Sequence, residues 1–67
     1  MTLGQKLKQT RLARGMTQSQ VVGDRITRNM LSQIEKGTAN PSLGVLGKIT
    51  SGLRIEFQEL IATPLVD

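Results

Sequence analysis

The chain has 67 residues, 37% of them hydrophobic, enough for one small domain near the lower size limit for folding alone. It contains no Cys and no His, which excludes disulfides, zinc sites of the usual ligand types and a Cys or His nucleophile–base pair. The net charge of +4 is uneven: nine bases oppose two acids, Asp24 and Glu35, between Lys6 and Arg54 (+7), while Glu56, Glu59 and Asp67 make the stretch from Ile55 onward −3.

Turn signals divide the chain into five pieces of helical length. The first runs from Leu3 to Arg14: Thr2 can cap it, Gln5 stands three residues on as the capping-box partner, and Gly15 follows as a left-handed stop. Leu3, Leu7 and Thr10 or Arg11 fall on one stripe, and Met16 packs just after the turn. The second helix starts at Thr17 in "TQSQVVGD", again with a Gln three residues after the cap, and ends near Val22 because Gly23 and Asp24 form turns. In the third, capped by Thr27 and closed by Gly37, the apolar residues Met30, Leu31 and Ile34 lie at helical spacing, and Ile26 against Leu31 forms a hydrophobic staple.

Arg28, Asn29, Ser32 and Gln33 remain on the other face of that helix. The loop "TANPS" follows: Pro41 forces Asn40 toward extended geometry and Ser42 caps the fourth helix, Leu43 to about Ser51, with Leu43, Leu46, Ile49 and Leu53 as its apolar face. Gly44 and Gly47 weaken that helix, each by about 0.8–1 kcal/mol relative to Ala. The fifth piece, Glu56 to Ile61, uses Phe57, Leu60 and Ile61, and Pro64 ends it.

No segment alternates apolar and polar residues over a strand length. The spacing therefore predicts an all-α fold: one domain over residues 1–67, a compact five-helix bundle around Leu7, Val21, Ile26, Leu31, Ile34, Leu46, Ile49, Leu53, Phe57 and Leu60. No apolar run approaches the roughly 20 residues of a membrane span, and the polar start lacks a signal-peptide core, so a cytoplasmic protein with no membrane partner is expected. A body of +7 suggests a polyanionic partner. Phe57 is the single aromatic residue, and proteins that grip single strands stack bases on aromatic rings, so duplex is the expected form.

The second and third helices, joined by a turn of a few residues, make a helix-turn-helix over about residues 17–36. In that unit the first helix lies over the backbone and the second enters the major groove, which is about 12 Å wide. The runs "GQKLKQTRLARGMTQSQVV" and "LSQIEKGTANPSL" resemble the Xre-type, lambdoid phage repressor-like domain. The resemblance spans about Leu3 to Ile61 and rests on Arg11, Gly15, Thr17 and Gln18, on Ser32, Ile34, Glu35 and Gly37, and on Pro41, Ser42 and Leu43.

It implies a DNA-binding domain that dimerises on a roughly two-fold operator and regulates transcription, and it implies an ion pair between Arg11 and Glu35, with a DNA contact by Arg11 as the alternative. Three features depart from the pattern. "GDR", between Val22 and Ile26, is one residue shorter than the usual turn, as in some bacterial regulators that often carry a C-terminal tetratricopeptide or ligand domain. The fourth helix has glycines where the family has Glu and an apolar residue, and the sequence stops a few residues after the fifth helix, as a cut-out domain or a minimal repressor would.

Four residues are candidates for base contact. Arg28 suits guanine O6 and N7, with a phosphate clamp or plain solvation as the alternative. Asn29 suits adenine or a phosphate, and Gln33 can pair bidentately with adenine. Ser32 is a weaker donor that otherwise packs against the second helix, and Met30 is expected in a partly buried core role rather than on a thymine methyl group. Thr17 and Gln18, at the start of the second helix, and Lys36, Thr38, Asn40 and Ser42, around the loop, are candidates for phosphate contact.

The reading is a sequence-specific regulator of double-stranded DNA, a repressor, which forms a homodimer through its C-terminal region near Phe57 to Val66, with no cofactor, metal or small-molecule ligand in this domain. The alternative is an antitoxin or another protein-interaction module on the same fold. No constellation for acid–base or nucleophilic chemistry is present, so an enzyme is not expected.

Overall fold

Four of the five helices begin on a hydroxyl side chain. The computed structural model describes residues 2–62, and side chains over residues 2–60. Its helices are α1 (Leu3–Ala13), α2 (Gln18–Val22), α3 (Arg28–Lys36), α4 (Leu43–Leu53) and α5 (Phe57–Ala62). Thr2 and Thr17 make complete capping boxes, in which each hydroxyl accepts from the amide three residues on, at 3.2 and 3.1 Å. In return the glutamine at that position, Gln5 or Gln20, accepts from the cap's own backbone N–H at 2.8 Å. Thr27 and Ser42 cap α3 and α4 in the simpler way, accepting from Met30 and Val45.

Helix ends are less local. Gly15 and Gly37 take left-handed conformations, as their positions after α1 and α3 suggest. By contrast α4 runs to Leu53, past the expected Ser51, and is closed by Arg54 at φ 58°, a left-handed residue that is not glycine. Near its end Gly52 is a contact residue: a Cβ there would overlap the carbonyl oxygen of Val21 on α2. Gly4 plays the same part on α1, where a Cβ would overlap the carbonyl oxygen of Ile34 on α3. The two glycines set the close α1–α3 and α2–α4 approaches that hold the bundle together.

The buried core comprises Leu7, Val21, Val22, Leu31, Ile34, Leu46, Ile49, Leu53 and Leu60. The expected core needs correction at its edges. Phe57 is 41% exposed, because it opens α5 and the inward position falls one turn later, at Leu60. Ile26 is half-buried and covers the edge of the core, and Val22 takes a buried place that was not expected of it. The inner stripe of α1 is Gly4, Leu7 and Arg11, so Leu3 is left partly exposed, and Leu43, expected on the apolar face of α4, is 85% exposed because the buried face begins at Leu46. The Ile61 side chain, and residues 63–66 of the Phe57 to Val66 stretch expected to form a dimer surface, lie outside the described residues. Among the described residues there is no strand, and no helix is long and apolar enough to cross a membrane.

Candidate nucleic-acid interface

The turn between α2 and α3 fixes how α3 is presented. Gly23 closes α2 with its N–H donated to Ser19 O at 3.0 Å, and sits at φ 49°, ψ −128°, which glycine alone adopts without strain. Arg25 N–H donates to Val22 O at 2.9 Å, so the short "GDR" segment is hydrogen-bonded before Thr27 starts α3.

α3 is about two and a half turns of helix with a divided surface. Leu31 and Ile34 are buried, and so is Glu35. Residues four apart stack along a helix, so the outer side carries two ridges. One is Arg28, Ser32 and Lys36, with Arg28 and Lys36 exposed and Ser32 half-buried; the other is Asn29 and Gln33, both exposed. Three open clefts border the outer side of α3. Arg28 lines one with Thr17 and Gln18, and Ser32 and Lys36 line another with Lys8 on α1. Asn29 and Gln33 line a third with Asn40, Pro41 and Ser42.

A buried polar cluster supports the helix from below. Arg11 Nε donates to Glu35 Oε2 at 2.8 Å and its Nη2 donates to Glu35 Oε1 at 3.0 Å, a bidentate pair. The third nitrogen, Nη1, donates to Met16 O at 2.9 Å. Gln18 Nε2 adds a bond to Glu35 Oε1 at 3.0 Å. No buried side-chain polar atom among the described residues lacks a partner. One carboxylate thus joins α1, the start of α2 and the last turn of α3.

The phosphate candidates differ in how they are engaged. Lys36 and Asn40 are exposed. The hydroxyls of Thr17 and Ser42 accept cap bonds, and Thr38 Oγ1 donates to Gln33 O at 3.1 Å, so these three also shape the backbone. Gln18 is half-buried, with one amide hydrogen turned inward to Glu35. Sequence reasoning missed this bond because the two residues lie 17 positions apart. It also misplaced Met30, which is 40% exposed and stands outside the core on the wall of the third cleft.

A helix-turn-helix family model matches residues 7–60. The chain belongs to the helix-turn-helix family, in its Xre-like form. Over 63 residues it is 35% identical to an HTH-type transcriptional regulator, SutR, of Escherichia coli strain K12, a match covering 92% of this chain and 35% of that protein. The chain therefore spans about a third of that relative's length. No solved structure matches the chain significantly.

Proposed function

We propose that this helix-turn-helix domain binds double-stranded DNA sequence-specifically and regulates transcription in the cytoplasm, as a repressor acting through a homodimer. The observation that carries the reading is the surface of α3: two polar ridges, open clefts around them, and a body of charge +7. Arg28, Asn29, Gln33 and Ser32 take the base edges. Thr17, Gln18, Lys36, Thr38, Asn40 and Ser42 take the backbone, with Gln18 using the amide hydrogen that Glu35 leaves available.

The dimer reading rests on specificity. One α3 reads only a few base pairs, and a useful operator needs two half-sites about one helical turn apart. The C-terminal stretch is where acidic and apolar residues replace basic ones, and it is the proposed contact between protomers. Membership of a family that includes a transcriptional regulator favours this over an interaction module or an enzyme.

Duplex-shift titrations of the domain over a range of salt concentrations test the proposal. Log affinity is expected to fall with log salt by about 0.9 per phosphate neutralised. A flat salt response, or no duplex binding beside capture of a protein partner, would reverse the order of the two readings.

A further inference from the structure

The cleft between α3 and the loop that follows it is not uniformly polar. Asn29 and Gln33 line it together with the apolar residues Met30, Ala39, Pro41 and Val45. The space is about 410 Å³ and is open to solvent. Met30 lines this space and is 40% exposed, although Leu31 and Ile34 of the same helix are buried in the core. An apolar wall beside two candidate base readers calls for an apolar group on the ligand. Base edges in the major groove offer donors, acceptors and one apolar group, the C5-methyl of thymine.

We propose that this cleft is a specificity subsite for a thymine methyl group, with Met30 as the residue that reads it. The inference rests on the duplex-binding reading and adds to it a named chemical group on one base. Asn29 and Gln33 fix the neighbouring base edges by hydrogen bonds. Met30 then closes on the methyl, its unbranched thioether adjusting to the groove floor. Pro41 and Ala39 form the far wall, so the loop contributes shape as well as backbone contacts.

The test uses the half-site selected by the domain from a random duplex pool. Each thymine is replaced singly by uracil, which removes the methyl and leaves the hydrogen-bonding edge intact. One position is expected to lose about fourfold in affinity per half-site, the equivalent of about 0.8 kcal/mol for one buried methyl. Met30→Leu keeps that response, whereas Met30→Ala and Met30→Gln bind thymine and uracil duplexes alike. Thermal melts of the free variants establish that each is folded.

A wild-type scan in which no uracil substitution matters would overturn the proposal. So would a Met30→Ala variant that still prefers thymine at the same position. If Met30→Ala weakens every duplex equally, the apolar wall meets sugar edges and the methyl reading is wrong. Failure to enrich any duplex would sink the duplex-binding reading itself, whereas a selected but uracil-insensitive site sinks only this subsite.

Discussion

The side-chain amide of Gln18 donates to Glu35 Oε1 at 3.0 Å, which ties the first residue of α2 to the last turn of α3. Glu35 also receives two bonds from Arg11 of α1, so the angle at which α3 is presented is set by a buried carboxylate as well as by the turn. This gives Gln18 a role that exists before any DNA arrives. Gln18→Ala is expected to cost about 1.5–3 kcal/mol of stability in the free domain, the usual worth of a hydrogen bond to a charged group. Gln18→Glu, which sets a second carboxylate against the first, should cost more. Denaturant titrations of the unliganded protein check this. A residue that served only as a phosphate contact would leave them unchanged.

The Arg11–Glu35 pair is the largest single stake in the fold. Removing one partner leaves the other charge buried and is expected to cost about 3–5 kcal/mol. A core of this size supplies a net stability of about the same amount. Arg11→Ala and Glu35→Ala should therefore each leave the domain largely unfolded at room temperature by circular dichroism. Replacing both by apolar residues of similar volume, Arg11→Met with Glu35→Leu, is expected to recover much of the loss. A double variant as unstable as the sum of the singles would contradict this account of the pair.

Two glycines on one helix should respond in opposite directions. A Cβ at Gly47 meets nothing within 4 Å, so Gly47→Ala is expected to stabilise the domain by about 0.8–1 kcal/mol. For a chain of this length that corresponds to roughly 4–8 °C in melting temperature. Gly52→Ala forces α4 away from the Val21 carbonyl and should destabilise by about 1–3 kcal/mol or more, as overpacking does. Calorimetry of the two variants decides it, and a Gly52→Ala domain as stable as wild type would show that the α2–α4 approach is looser than described.

What the sequence revealed, and what it did not, divides by distance along the chain. Thr2, Thr17, Thr27 and Ser42 announced four helix starts, because a cap bond reaches only two or three residues. Gly15 and Gly37 announced two stops for the same reason. Periodicity found most of the core, but it could not choose between Leu3 and Gly4 as the inner edge of α1. That choice depends on the carbonyl of Ile34, thirty residues away. Gly52 and Met30 were obscure for the same reason, since each is placed by a neighbouring helix or loop. The face of α3 was readable as a set of residue types; the apolar wall of its third cleft was not, because Ala39, Pro41 and Val45 come from beyond the helix.

Arg28 offers the most direct measurement, through selection of bound duplexes from a random pool with wild type and Arg28→Ala side by side. A two-fold-symmetric motif is expected from wild type. The variant should lose about 1–3 kcal/mol and relax one base pair in each half-site, with the remaining positions unchanged. An unaltered motif with uniform weakening would make Arg28 a phosphate contact, and the absence of any enriched duplex would contradict the placement of α3 in the major groove.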